Sequence, residues 1–208
     1  MATKSASLKD KILDRIEAKK PFAVWTSRDF IVLASRKLVA KTLQQLARSG
    51  ELRRIGRGLY DKPSFDSLTN QPTSPDYREV IKAVSRRDQA RMLIDGLTAA
   101  NGLGLTNSVP ARVVVHTDAR LFPIRVGNLV VKFKKTSASR LYWAGRPAMK
   151  VVQALHWLKD MLPDDRITKQ LQAILRDPTH GAAIREDLSV GLPTLPSWMQ
   201  QLVRELLS

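Results

Sequence analysis

Apolar residues recur at helical spacing from the start of the chain. Leu8, Ile12 and Ile16 stand four apart behind Ser7, a residue suited to cap a helix, and predict a helix through Ala18. Lys20-Pro21 is expected to end it, because the residue before proline disfavours helical backbone. A second helix is expected from Thr26 or Ser27, carrying Phe30, Ile31 and Leu33. A third follows Ser35 and runs to about Ser49, stopped by Gly50. It divides into two faces. Val39, Leu43 and Leu46 form an apolar stripe, and Lys37, Lys41, Gln44 and Arg48 stand opposite, with Arg36 and Gln45 beside them.

The period then changes. Glu51-Leu-Arg-Arg-Ile55 and Leu59-Tyr60 flank Gly56-Arg57-Gly58, which predicts two short strands meeting at a glycine-rich turn. Three helices followed by a basic hairpin is the pattern of a winged helix-turn-helix, in which the third helix enters the major groove. Trp25, Phe30 and Tyr60 are expected in core or wing packing and not in base stacking. Asp61 to Pro75 is rich in proline, serine and threonine and is expected to be a linker. The domains expected are therefore residues 1–63, a linker at 64–75, and a second domain at 76–208.

Beyond the linker, Asp76 to Arg87 is helical in pattern. Leu97 to Leu105 contains a Gly-x-Gly pair, but with no third glycine and no clear preceding strand it reads as a helix ending in a turn. Pro110 to Thr117 is an expected strand, its Val113-Val-Val115 run arguing for burial on both faces. Phe122 to Val126 and Leu129 to Lys134 are an expected hairpin around Gly127-Asn128. Pro147 is expected in the first turn of a helix carrying Val151, Val152, Leu155, Trp157 and Leu158. Further helices are expected near Ile167 to Arg176, Ala182 to Leu188 and Leu195 to Leu207. The fold class expected is thus α+β, a winged helix-turn-helix followed by a mixed α/β domain with a small antiparallel sheet and a C-terminal helical segment.

Charge changes the picture from fold to partner. The 208 residues hold 35 Lys and Arg against 19 Asp and Glu, a net charge of +16. Residues 1–75 contribute +8, residues 76–160 contribute +9, and residues 161–208 contribute −1. A balance of this kind points to an anionic partner, nucleic acid first, an acidic protein second and a membrane surface third. The polar face of the third helix carries cations and amides and no acid: arginine suits guanine, glutamine suits adenine, and lysine neutralises phosphate. No apolar run approaches the roughly 20 residues of a membrane helix, and the N-terminus lacks the apolar stretch of a signal peptide, so a cytoplasmic protein with no membrane partner is expected.

Candidate chemistry is sparse. With no cysteine there is no thiol nucleophile and no thiolate zinc site. His116, His156 and His180 show no metal-ligand spacing, so neither a metal nor a cofactor is expected. His116-Thr-Asp118 and Ser137-Ala-Ser139 hold the residue types of a nucleophile and its base, but no nucleophile-elbow motif accompanies them. A non-enzymatic protein is expected.

Several segments resemble the AbiEi-type antitoxins. Thr26-Ser-Arg-Asp-Phe30, Ser35-Arg-Lys-Leu-Val39 and the stretch from Leu43 through Glu51-Leu-Arg-Arg-Ile-Gly-Arg-Gly-Leu-Tyr-Asp-Lys-Pro63 resemble that family's winged helix. Ser85-Arg-Arg-Asp88, Ala99-Ala-Asn-Gly-Leu-Gly-Leu105, Val109-Pro-Ala-Arg-Val113 and Ala144-Gly-Arg-Pro147 with Val151-Val-Gln-Ala-Leu155 resemble its second domain. The similarity spans roughly residues 8–160.

The resemblance implies an antitoxin of a type IV toxin–antitoxin operon. Its N-terminal domain would bind inverted repeats of double-stranded DNA in its own promoter, two copies to a site, and repress the operon. Its C-terminal domain would oppose a toxin of the nucleotidyltransferase type, by direct or indirect means. The DNA-contacting positions implied are Ser35, Arg36, Lys37, Lys41, Gln44, Gln45 and Arg48, with Arg53, Arg54 and Arg57 on the wing. Charge alone adds Arg86, Arg87, Arg112, Lys132, Lys134 and Lys135 as the basic surface expected to carry antitoxicity. Two alternatives stay open: a module neutralising an acidic toxin by direct contact, and an RNA-binding protein acting on the toxin's RNA target. The absence of an aromatic RNA-stacking strand weighs against the latter.

Overall fold

The structure, a computed structural model, describes residues 7–18 and 23–208. The mixture of helices and small antiparallel sheets makes this an α+β protein. Helix α1 (Leu8–Glu17) opens on Ser7, whose hydroxyl accepts from the Asp10 amide while the Asp10 carboxylate accepts from the Ser7 amide. The stop expected at Lys20-Pro21 lies outside the described residues.

Strand β1 (Val24–Trp25) leads into a single 3-10 turn, Ser27–Phe30, not the longer second helix expected. Thr26 and Asp29 close that turn by reciprocal capping, and the chain turns again over 31–33. Helix α2 (Arg36–Arg48) is capped by Ser35, whose hydroxyl accepts from the Leu38 amide. Strands β2 (Arg53–Gly56) and β3 (Leu59–Asp61) form the expected hairpin, and β1 adds to its other edge in the order β1-β3-β2, all antiparallel.

Residues 64–73 are no featureless linker. Thr73 donates to the Ser64 carbonyl, and the Asp66 carboxylate accepts from the Leu68 and Thr69 amides and the Thr69 hydroxyl. Those bonds hold the Asp66 carboxyl below its usual range, the Thr69 amide contributing most.

Helix α3 (Tyr77–Asp88), strand β4 (Met92–Ile94) and helix α4 (Gly96–Gly102) follow. A strand therefore does precede the Gly-x-Gly pair, contrary to expectation. The pair still closes α4, since Gly102 is its last residue and Gly104 takes the left-handed conformation, φ +73°. Strand β5 (Arg112–Thr117) buries Val113, Val115 and Thr117 while Val114 and His116 are half-buried. It thus alternates, where burial on both faces was expected.

Strands β6 (Ile124–Val126) and β7 (Leu129–Lys135) form the second hairpin. Helix α5 (Met149–Leu158) starts after Ala148, so Pro147 lies just ahead of it and outside its first turn. Helices α6 (Asp165–Leu175), α7 (Gly181–Gly191) and α8 (Ser197–Leu207) complete the chain. No helix among the described residues is long and apolar enough to cross a membrane.

The chain divides into two compact units. The first comprises residues 1–90 and 122–131, and the second residues 91–121 and 132–208. This division falls after Ala90, not at the expected 64–75, because α3 is bonded into the first unit: Arg86 donates to the Val24 carbonyl at 2.9 Å and to Asp29 at 3.1 Å. The first unit's core is Ile12, Ile16, Trp25, Phe30, Val39, Leu43, Leu46, Leu52 and Tyr60, so the three aromatics lie where they were expected. Burial of that many large apolar side chains, each worth roughly 1.5–3 kcal/mol, is what fixes the orientation of α2. In the second unit, β4 pairs antiparallel with β5, and α4 through α8 pack around Leu155, Leu158, Leu171, Leu188 and Met199.

Candidate nucleic-acid interface

Helix α2 presents its two faces as its period dictates. Val39, Thr42, Leu43 and Leu46 are buried, and Arg36, Lys37, Lys41, Gln44, Gln45 and Arg48 are exposed. Among the described residues, none of those six side chains makes a hydrogen bond or ion pair with another group of the protein. Their donors are therefore all available to a ligand. Leu38 shares this surface at 49% exposure, and Ile31 and Val32 just ahead of the helix are more exposed still. Sequence patterning passed over Leu38, although its place one residue off the Val39–Leu43–Leu46 stripe was a signal for it.

The start of α2 runs against ordinary helix electrostatics. The N-terminal end of a helix dipole favours acids, and α1, α3 and α6 carry Asp10, Glu79 and Asp165 there. Helix α2 has no acid in its first turn, as is also true of α4, α5, α7 and α8, but it begins with two cations, Arg36 and Lys37. Each cation there costs a few tenths to about 1 kcal/mol. Breaches of a local rule concentrate at functional sites.

The hairpin arginines are not equivalent. Arg53 donates to both oxygens of Asp61, at 3.0 Å from Nε and 2.5 Å from Nη2, and Asp61 is only 2% exposed. That guanidinium is committed to the fold, although it was expected on the wing. Arg54 is exposed and donates locally to the Gly56 carbonyl at 3.3 Å, and Arg57 is exposed at the turn. The exposed cations of the hairpin are Arg54 and Arg57.

The second expected basic surface does not come together. Arg86 is bonded to Val24 and Asp29, and Arg87 to Asp88 and the Arg57 carbonyl, so both serve the first unit. Arg112, on β5, and Lys132, Lys134 and Lys135, on β7, are exposed and belong to the second unit. Only those four remain a basic set.

The imagined nucleophile–base arrangement is also divided. Asp118 accepts from the Arg91 amide and guanidinium, each at 3.0 Å, and the guanidinium bond holds its carboxyl below the usual range. His116 and Ser139 line a cavity that Asp118 does not reach. No cluster of three His, Asp or Glu among the described residues could hold a metal ion.

A family model described as a family of unknown function (DUF6088) matches residues 11–182. The chain belongs to that family. The match runs through the α2 face, the hairpin and parts of both compact units. No curated protein matches the chain.

Proposed function

We propose that this DUF6088 protein is a sequence-specific DNA-binding repressor of its own operon. In this reading the first unit is a winged helix-turn-helix, α2 is its recognition helix and the β2–β3 hairpin its wing. One observation carries it: five exposed donor-rich side chains on one face of α2 and Arg36 at its N-terminal end, without an acid and, among the described residues, without an intramolecular partner. The order helix, strand, turn, helix, hairpin in residues 8–61 supports the same reading.

Arg36, Lys37 and Lys41 approach the groove from the helix N-terminus, where recognition helices meet base edges. Gln44 and Gln45 suit adenine and Arg48 suits guanine or phosphate, while Leu38 suits a thymine methyl. Arg54 and Arg57 touch the backbone beside the groove. Two copies on an inverted repeat, about one helical turn apart, give the operator its symmetry.

A gel shift on the DNA upstream of the operon tests this. The native chain should retard it, and Lys41→Ala with Arg48→Ala should abolish retardation at physiological salt, leaving only weak binding at low salt, while the fold survives. Full binding by that variant removes the assigned surface.

The resemblance to AbiEi-type antitoxins extends the proposal: the chain opposes a nucleotidyltransferase-type toxin encoded beside it. Expression of the adjacent gene should arrest growth, and co-expression of this chain should restore it. An adjacent gene that encodes no toxin contradicts this part alone.

A further inference from the structure

The second unit contains a cavity with a mixed polar and apolar lining that the DNA-binding reading does not use. It measures about 500 Å³, within the roughly 300–1,000 Å³ of small-molecule sites. His116 from β5, Thr136 after β7, Arg140 in a short 3-10 turn, and Gln153 and His156 from α5 all line it. Among the described residues, none of these five side chains makes a hydrogen bond or ion pair. Ser139 adds a hydroxyl, and Leu93, Trp143 and Leu195 supply an apolar wall.

The wall is built rigidly. The ring of Trp143 lies so close to Gly191 that a Cβ there would meet it at 2.1 Å. Arg146 stacks over the Tyr142 ring at 4.5 Å and donates to Asp187, whose second oxygen accepts from the Ala148 amide at 2.9 Å. A wall held in this way lowers the ordering cost of binding on its side of the cavity.

Its electrostatics favour an anion. His116 is held below its ordinary value, by burial first and then by Lys134 and Arg140, with Asp95 opposing. Burial does the same to His156. Asp95, the one carboxylate acting on His116, already accepts from the Thr98 amide and hydroxyl and from the Val114 amide. The groups left to meet a ligand are thus a guanidinium, hydroxyls, a carboxamide and imidazole N–H donors.

We propose that this cavity binds a small organic phosphomonoester of mononucleotide size. Its phosphate lies against Arg140, His116 and the Ser139 hydroxyl, and its organic part lies on Trp143, Leu93 and Leu195 with Gln153 at a polar edge. The proposal stands independently of DNA binding by α2.

Titration calorimetry of the full chain tests it, at physiological salt, with each of the four ribonucleoside monophosphates, ribose 5-phosphate and inorganic phosphate as probes. At least one ester should bind with a Kd below about 1 mM. Arg140→Ala and His116→Gln, each folded by circular dichroism, should weaken it about tenfold or more, the loss expected for a charge-assisted hydrogen bond. Arg166→Ala, which removes an exposed cation elsewhere in the same unit, should not. Absence of binding by every ester overturns the proposal. So does inorganic phosphate binding as tightly as any ester, or ester binding unmoved by Arg140→Ala and His116→Gln.

Discussion

Helix α2 and three arginines of the same unit, Arg53 on β2 and Arg86 and Arg87 on α3, carry the same chemistry and use it in opposite ways. Arg53, Arg86 and Arg87 donate to Asp61, to Asp29 and the Val24 carbonyl, and to Asp88, so they hold the first unit together. Arg36, Lys37, Lys41 and Arg48 donate to nothing among the described residues. Net charge counts these groups alike. Hydrogen-bond accounting separates them into cations that stabilise and cations that can bind.

Substitutions can break or sharpen that division. The largest effect is expected at the most buried pair. Asp61→Ala strands the Arg53 guanidinium and should cost about 2–3 kcal/mol of stability in a urea melt. Lys41→Ala should stay within about 0.5 kcal/mol in the same melt. A next, smaller effect is expected at Arg86→Ala, about 1 kcal/mol, because the Arg86 side chain is itself 45% exposed. DNA affinity at matched salt should be unchanged in that variant. Arg57→Ala should do the reverse, weakening DNA binding a few-fold without moving the melt.

The smallest effect is a pH dependence that divides the two units. All three histidines lie in the second unit. His116 and His156 are held below their ordinary value, mainly by burial, so the unfolded chain binds protons that the folded one resists. Their contribution is present above about pH 6.5 and is lost as pH falls through that value toward the folded one. Hydrogen exchange, corrected for intrinsic rates, should show the second unit weakening from pH 7.5 to 5.5, with no histidine-linked loss in the first.

The α2 face was legible because a cap, a 3.6-residue period and a terminal glycine agree at Ser35, Val39–Leu46 and Gly50. Strands β1 and β4 were not, since two and three residues are too short to show a two-residue period. The commitment of Arg53 had a signal: in the β2–β3 register it stands directly opposite Asp61, an opposite-charge cross-strand pair. Arg86 had none, because Asp29 and Val24 lie 57 and 62 residues away and only tertiary packing brings them near. For the same reason a boundary drawn from composition at 64–75 missed the attachment of α3.

The salt dependence of DNA affinity tests the central claim most directly. Each cation that neutralises a phosphate should contribute about 0.9 to the slope of log affinity against log salt. Lys41→Ala with Arg48→Ala should therefore lower the slope by about 1.8, while Arg86→Ala leaves it unchanged. An unchanged slope in the double variant, with affinity retained, would show that the free face of α2 is not the surface that meets DNA.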